Sequence, residues 1–466
     1  MNSSFHSPLH SQFNTRFAIR HSRLRVISLA VIAALLLTLT ACGVPFMGIK
    51  FITGDIEMRG GFSPPILGRS LSLEDIILMC EPRAAEFDVL ITGYDGLAVR
   101  VAGEDLSCCE LVYSKDYYWE LRCDSHPPSV KVKNIKEIAV LSRSEDPYAA
   151  RFLSDGKAQS LTAGQLLLHG AFTALQEEGT SKLNGKSVTV YTTKRRVALS
   201  TLLPDSERLY AVGFDGTAAY FRGTADCYLE SAGNSVDLLL ADGQVIADLA
   251  GVMAEPPAFT ISETAVDALH FLERGERVMV LELDSLGWEM LQRAGEEYAP
   301  FLHSLQPQKA LAAFPSDSKT GIAWMTGVSA PEGDLFQRAA KLGKSCVYIE
   351  GSQAFPGVSL RPELSLDDQN VYENARGALA HGALEKQPDL LFAHFHEIDE
   401  AAHEHGPYAA KTLEKIREID GYAKALTESF DGRVILTADH GLHETEEGGS
   451  HGHFLPEDMI VPYAIK

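Results

Sequence analysis

Four short apolar runs near the C-terminus constrain the fold of this chain most strongly. They span residues 278–283, 345–349, 390–395 and 433–437. Continuous apolar runs of this length are typical of parallel strands that are covered on both faces. Helical patterns separate the runs, over 332–342, 370–384 and 409–429. This alternation predicts an α/β domain over residues 275–466, with a doubly wound, mostly parallel sheet.

Acidic and imidazole residues follow these runs where the chain leaves the sheet, and eight of the 16 histidines fall between residues 394 and 453. Open α/β sheets build their sites at the carboxyl ends of the strands, so these side chains are expected to converge. Imidazole and carboxylate ligands suit zinc or manganese, and the sequence therefore predicts a site for two divalent metal ions. The candidate ligands are Asp284, Asp399, His403, Asp439, His440 and one of His451 and His453, which the sequence alone does not distinguish.

Each candidate ligand also has a purely structural interpretation. Asp284 could cap the helix that follows it, and Asp399 with His403 could form a solvated helix face, since a spacing of four places both on one side. Asp439 and His440 could belong to a turn. His394 and His396 alternate on one strand, where they either line the site or are satisfied within the core.

Two motifs carry a family resemblance. The segment from Asp399 reads Asp-x-x-x-His-x-x-Gly-Pro, and residues 438–441 read Ala-Asp-His-Gly. Together they resemble the metal core of the alkaline phosphatase superfamily, which includes type I phosphodiesterases and nucleotide pyrophosphatases. The resemblance implies one metal bound by Asp399, His403 and His451. It implies a second metal bound by Asp284, Asp439, His440 and the oxygen of the nucleophile.

The nucleophile is less well defined, because the sequence departs from the hydrolase pattern at this point. Counting back nine positions from Thr326 reaches Asp317, which is not a hydroxyl residue. Residues 318–321 instead resemble the loop of phosphopentomutases, in which the first residue is phosphorylated. The resemblance favours Ser318 as nucleophile and metal ligand, with Thr320 as the alternative.

The N-terminus has the pattern of an export signal. Four arginines precede an apolar run over residues 26–41, which is short for a membrane-spanning helix. The small residues before Cys42 resemble the lipobox of bacterial lipoproteins, so we expect cleavage after residue 41 and lipidation of Cys42. An uncleaved anchor helix is the alternative. In both cases the chain is expected to be exported and tethered to the membrane, facing away from the cytoplasm.

Residues 71–257 are expected to form a β-rich region after a tether over 42–70, and a linker over 258–274 is expected to follow. Residues 90–96 and 210–216 share a Gly-aromatic-Asp-Gly turn between alternating runs, which predicts two related hairpin modules over 71–145 and 185–255. A helix is expected between them, over 163–178. A disulfide among Cys80, Cys108, Cys109 and Cys123 is plausible, whereas the absence of a Cys-x-x-Cys pair disfavours a cysteine-based zinc site.

The formal net charge of −22 excludes a general nucleic-acid binder, which needs a basic surface. The leading hypothesis is an exported, lipid-anchored, metal-dependent hydrolase of phosphate esters, either a phosphodiesterase or a phosphatase, that acts through a phosphoseryl intermediate. Its substrate would be a small phosphate ester or a component of the cell envelope. A phosphomutase-like enzyme and a non-catalytic surface-binding lipoprotein with a relic α/β domain are the alternatives.

Overall fold

A computed structural model describes residues 52–57 and 70–466, except 115, 117, 155–156, 171, 184–185, 205, 366 and 381–386. The expected signal segment 1–41 and the lipidation site Cys42 lie outside the described residues. The chain divides into two compact units. The first ends at Pro147 and also includes Ala163–Gln165, and the second comprises Tyr148–Thr162 and Leu166–Lys466. No helix among the described residues is long and apolar enough to span a membrane.

The first unit contains a four-stranded sheet of order β1-β7-β3-β4 and a three-stranded sheet of order β2-β5-β6. Its core includes Ile52, Val89, Ile138 and Trp119. The strands are β1 (Ile52–Gly54), β2 (Ser70–Ser72), β3 (Phe87–Gly93), β4 (Ala98–Ala102), β5 (Cys109–Ser114), β6 (Tyr118–Cys123) and β7 (Ile135–Ser142). Helix α1 (Leu73–Met79) and the 3-10 turns Gly103–Cys108 and Pro128–Val130 complete it.

The second unit begins with a β-rich part. It forms one sheet of order β13-β12-β17-β8-β9 and another of order β10-β11-β14-β15-β16. The strands are β8 (Ala150–Ser154), β9 (Lys157–Leu161), β10 (Phe172–Leu183), β11 (Lys186–Ala198), β12 (Arg208–Gly213), β13 (Ala218–Arg222), β14 (Tyr228–Ser231), β15 (Val236–Leu239), β16 (Val245–Ile246) and β17 (Leu249–Ala254). The chain also forms a short helix, α2 (Ala163–Leu166), and a 3-10 turn, Leu199–Thr201.

The two hairpins with the shared turn occupy equivalent places in their sheets. The order β4-β3-β7-β1 parallels the order β13-β12-β17-β8, and in both cases only the last pair is parallel. Asp95 and Asp215 each accept a hydrogen bond from the backbone N–H two residues on, at 3.0 and 2.8 Å. Both aspartates are therefore turn residues. The strand equivalent to β7 is β17.

The helix expected over 163–178 is wrong beyond its first turn. Helix α2 ends at Leu166, and the strand β10 begins at Phe172. β10 pairs along its length with β11, from Phe172 opposite Arg196 to Leu183 opposite Lys186. Pairing with β11, the strand that follows next in the sequence, thus overrides the local helical pattern, and a bulge between Glu177 and Gly179 accommodates the glycine.

The α/β part of the second unit has an eight-stranded sheet of order β18-β20-β27-β24-β19-β23-β21-β22. All neighbouring pairs are parallel except those of β27, which is antiparallel to both its neighbours. The strands are β18 (Phe259–Thr260), β19 (Val278–Leu283), β20 (Gln308–Leu311), β21 (Cys346–Glu350), β22 (Glu363–Leu364), β23 (Leu390–Phe395), β24 (Arg433–Thr437) and β27 (Ile460–Ile465), with a separate hairpin of β25 (His443–Thr445) and β26 (Gly448–Ser450). The mixed α/β fold class is as predicted.

Helices cover this sheet and share one core with it. Every residue of β19 and β23 is buried, as the continuous apolar runs predict. The helices are α3 (Glu263–Glu273), α4 (Trp288–Tyr298), α5 (Pro300–Ser304), α6 (Ser318–Thr326), α7 (Leu335–Lys341), α8 (Asp368–Ala380), α9 (Glu397–His405), α10 (Ala410–Ser429) and α11 (Pro456–Met459). Residues of α3 pack in the same core as β19, so part of the segment expected to be a linker belongs to this fold.

Candidate metal centre

Three neighbouring parallel strands supply the first part of the centre. β19 lies between β23 and β24 and is parallel to both. Asp284 directly follows β19, and Asp439 with His440 follow β24 after one residue. All three side chains are completely buried. Parallel strands present their carboxyl ends at one edge, so the sheet itself brings these residues together.

Helices and a loop supply the remaining residues. Asp399 and His403 lie four residues apart on α9, on one face of that helix. Ser318 begins α6, where Asp317 caps the helix by accepting a 2.7 Å hydrogen bond from the Thr320 N–H. His451 follows the hairpin β25–β26.

The three histidines share one hydrogen-bonding arrangement. In each, Nδ1 lies 2.9 to 3.0 Å from a backbone oxygen. The pairs are His403 with Gly449, His440 with Gly441, and His451 with Ser316. A carbonyl oxygen only accepts hydrogen bonds, so each Nδ1 carries the proton in the neutral ring. The lone pair is then on Nε2, the atom that faces the carboxylates. A backbone oxygen that holds the ring orientation in this way is typical of histidines that bind metal ions.

The first predicted ligand set is arranged around Asp399. Its Oδ1 lies 3.3 Å from His403 Nε2 and 3.8 Å from His451 Nε2. The Asp399 side chain is buried, and the His403 ring is about two-fifths exposed. His403 and His451 therefore both face Asp399 Oδ1 at the edge of the centre, and ligand atoms of Asp399 and His451 also lie within 4.8 Å of one on His440.

The second predicted set is arranged around His440 Nε2. This atom lies 3.5 Å from Asp284 Oδ1, 3.4 Å from Asp439 Oδ2 and 3.3 Å from Ser318 Oγ. Ligands of a tetrahedral zinc ion with bonds of about 2.0 to 2.2 Å are separated by roughly 3.3 to 3.5 Å. Asp284 Oδ1 and Asp439 Oδ2 are buried and have no hydrogen-bond partner among the described residues. Two buried carboxylate oxygens without donors are costly unless a cation binds them, so this set fits a metal ion.

The structure thus brings together all seven residues that were predicted as metal ligands: Asp284, Ser318, Asp399, His403, Asp439, His440 and His451. The alternative nucleophile Thr320 lies in the first turn of α6, but no hydrogen bond within the described part of the chain joins its hydroxyl to this cluster. His453 stacks on His443 at a centroid distance of 5.0 Å instead. His451 therefore fits the cluster, as the family motif suggested.

One known protein family is similar to part of this α/β domain. Residues 339–460 match the family model of type I phosphodiesterase / nucleotide pyrophosphatase. The resemblance to the alkaline phosphatase superfamily is confirmed. The matched segment includes Asp399, His403, Asp439, His440 and His451, and it begins after Asp284 and Ser318.

One curated relative is the catalytic subunit of human GPI ethanolamine phosphate transferase 3, which is 28% identical over 100 residues. The match covers 21% of this chain and spans only 8% of that relative. Among solved structures, the C-terminal periplasmic domain of the phosphoethanolamine transferase EptC from Campylobacter jejuni is 13% identical, with a TM-score of 0.33, and the alignment covers 41% of this chain and 79% of that one. An inactive murine ectonucleotide pyrophosphatase/phosphodiesterase 5 in complex with AMP is 15% identical, with a TM-score of 0.28, covering 37% and 59%.

Within the α/β part, the imidazole of His394 is buried beside three carboxylates, of which Glu282 and Glu350 were not assigned to the site from the sequence. His394 Nε2 lies 2.8 Å from Glu282 Oε2 and 3.1 Å from Asp284 Oδ2, and its Nδ1 is hydrogen-bonded to Glu350. Burial disfavours the charged imidazole, but the surrounding carboxylates outweigh this effect and raise the pKa of His394 well above its usual range. His394 therefore lies between Glu282, Asp284 and Glu350, where its ring fixes the orientation of the Asp284 carboxylate.

Two further residues contact the centre: His396, for which the sequence left a site role and a core role open, and Ser285, which the sequence did not single out. His396 Nδ1 lies 2.6 Å from Asp284 Oδ2. Ser285 has a left-handed backbone, with φ of 63°, and its hydroxyl donates a 2.5 Å hydrogen bond to Asp399 Oδ1. The same hydroxyl lies 3.2 Å from His440 Nδ1, so Ser285 connects the two ligand sets. The position of Ser285 directly after Asp284 was the available signal in the sequence.

Proposed function

We propose that this protein is a metal-dependent phosphoric ester hydrolase that acts through a phosphoseryl intermediate. One observation carries the proposal: three oxygen atoms, of which one is the Ser318 hydroxyl, lie within 3.3 to 3.5 Å of the same histidine nitrogen. Two of these oxygens are buried carboxylate atoms without a hydrogen bond. A hydroxyl within such a ligand set is the expected arrangement of an activated nucleophile.

Two divalent ions, zinc or manganese, would be held by the two ligand sets. Asp399, His403 and His451 would hold one, and Asp284, Asp439 and His440 with Ser318 would hold the other. When bound, such a pair lowers the pKa of hydroxyl groups and neutralises charge on the phosphoryl oxygens. The His394–Glu282–Glu350 group would keep Asp284 in place for this role.

The residues of the chain define a two-step reaction. Ser318 Oγ would attack phosphorus, the bond to the leaving alcohol would break, and Ser318 would become phosphorylated. Water entering beside His403, the most exposed of the ligand histidines, would then displace the serine oxygen and release phosphate. The N-terminal end of α6, where Ser318 lies, would favour the anionic phosphoryl group through the helix dipole.

Transfer to an alcohol instead of water is a second candidate activity. The human relative with 28% identity over 100 residues is named a GPI ethanolamine phosphate transferase. The first step would be the same, and an acceptor hydroxyl would take the place of water in the second. The fate of the transferred group in the presence of ethanolamine or glycerol distinguishes the two activities.

We further propose that the protein is exported and lipid-anchored through Cys42, with its α/β domain facing away from the cytoplasm. The arginine-rich segment, the apolar run that follows it and the small residues before Cys42 support this proposal. Its substrate would then be a phosphate ester outside the cytoplasm. Mass spectrometry of the N-terminal peptide from the membrane fraction tests lipidation, and an unmodified Cys42 would refute it.

The direct test of the activity is hydrolysis of p-nitrophenyl phosphate and bis(p-nitrophenyl) phosphate by the full chain. Activity should disappear with a chelator and return with zinc or manganese. Ser318→Ala should abolish turnover while metal content stays unchanged, whereas Thr320→Ala should retain turnover. Activity that survives both chelation and Ser318→Ala would refute the proposal.

A further inference from the structure

A second group of metal-binding side chains lies in the first unit and has no role in the proposed reaction. The hairpin β5–β6 places Cys109 opposite Cys123. Cys108 ends the 3-10 turn that precedes β5, and the chain after β6 returns His126 toward the same end of the hairpin. Ligand atoms of Cys108, Cys123 and His126 all lie within 4.8 Å of one another.

The short distances converge on the sulfur of Cys123. It lies 3.1 Å from Cys108 Sγ and 3.1 Å from His126 Nδ1. On the side of the His126 ring away from Cys123, Nε2 lies 3.4 Å from Asp105 Oδ2. A carboxylate beside Nε2 favours the proton on that nitrogen and leaves the lone pair on Nδ1, which faces the two thiols. Carboxylate, imidazole and metal follow one another in this order in many zinc sites.

Cys123 is buried, whereas Cys108 is exposed, so an ion has access to the group from solvent on the Cys108 side.

We propose that Cys108, Cys123 and His126 bind a zinc-type divalent cation, with solvent in the fourth position at the exposed side. Two sulfurs and one imidazole nitrogen form a soft ligand set that prefers zinc among the common divalent ions. The ion would connect the 3-10 turn, strand β6 and the turn after it. The ligands lie at positions 108, 123 and 126, and this spacing contains no Cys-x-x-Cys pair. The absence of a Cys-x-x-Cys pair does not argue against this site, because the pairing of β5 with β6 brings the ligands together.

Cobalt substitution tests this site separately from the catalytic centre. Thiolate ligands give cobalt(II) an intense near-ultraviolet charge-transfer band, which the carboxylate and imidazole ligands of the α/β domain do not produce. The full chain, purified with a reductant and loaded with cobalt, should show this band. Cys108→Ser should lower its intensity by about half and Cys108→Ser with Cys123→Ser should abolish it, because the thiolate ligands are removed one at a time.

Cys346→Ser is the matched control. This thiol is half-buried at the start of β21, and the substitution should leave the band unchanged. Hydrolysis of phosphate esters should be the same in all these variants, so failure of the proposed catalytic function would not affect the result. Absence of the band while the thiols are titratable would overturn the proposal. A disulfide of Cys123 with Cys108 or Cys109, found by peptide mapping of chain purified without reductant, would also overturn it.

Discussion

Gly321 provides a sharp test of how the candidate centre is positioned. This residue lies in the second turn of α6, three residues after Ser318, and it packs against the backbone of Asp439. A Cβ added here would lie 2.6 Å from Asp439 Cβ and 2.8 Å from Asp439 O. Ordinary contacts at this position begin at 3.4 Å, so Gly321→Ala requires α6 and Asp439 to separate by about 0.8 Å.

This displacement acts on the nucleophile and a ligand together, because Ser318 is on α6 and Asp439 follows β24. A misplacement of about 1 Å at a catalytic site costs about 100-fold in rate. We therefore expect kcat/KM for bis(p-nitrophenyl) phosphate to fall about 100-fold. The free energy of unfolding should fall by less than about 2 kcal/mol, since overpacking costs about 1 to 3 kcal/mol and the helix gains about 1 kcal/mol from alanine.

Gly421→Ala is the matched control for this substitution. Gly421 lies in α10, is exposed, and has no atom within 4 Å of an added Cβ. It should raise the free energy of unfolding by up to about 1 kcal/mol and leave kcat/KM unchanged. If folded Gly321→Ala retains kcat/KM within threefold, the contact between α6 and Asp439 does not position the reacting groups, and our reasoning is refuted.

Three other outcomes follow from the site. Asp439→Asn should remove about one zinc ion per chain by elemental analysis, because it replaces an anionic ligand oxygen; unchanged zinc content would exclude Asp439 as a ligand. Ser285→Ala should lower kcat about tenfold and leave zinc content unchanged, because its hydroxyl connects Asp399 with His440; loss of zinc instead would make it a ligand-supporting residue. In the metal-free chain, burial disfavours the charged form of His396, but the Asp284 carboxylate outweighs burial and raises the pKa of His396 to about 9. The contribution of this pair to the free energy of unfolding is therefore complete below about pH 6.5 and is lost as the pH rises through 9. His396→Gln should therefore reduce the decline in the free energy of unfolding between pH 7 and 10 by up to about 3 kcal/mol, and an unchanged decline would contradict the assignment.

The sequence predicted the sheet and most of the centre because both depend on local pattern. The fully apolar runs of β19 and β23 identify buried parallel strands, and residues that directly follow such strands reach one edge of the sheet. Asp284, Asp439 and His440 could therefore be found without knowledge of the tertiary structure. Asp399 and His403 could be found because a spacing of four places them on one helix face.

What the sequence did not predict depends on which strands pair and in which register. His394 is on β23 and contacts Glu282 on β19 and Glu350 on β21. Only the strand order β19-β23-β21 brings these three residues together. The strand β10 was expected to be helical because its partner β11 could not be inferred from residues 163–178 alone. The group of Cys108, Cys123 and His126 likewise depends on the register of β5 against β6.

The central claim is that one pocket holds two metal ions and the Ser318 oxygen. A crystal structure of the zinc-loaded chain with orthovanadate, analysed by anomalous scattering, tests it most directly. We expect two zinc peaks about 4 Å apart, one beside Asp399, His403 and His451 and the other beside Asp284, Asp439 and His440. The vanadium should lie within bonding distance of Ser318 Oγ. Absence of zinc from these six residues, or vanadate bound away from Ser318, would contradict the account.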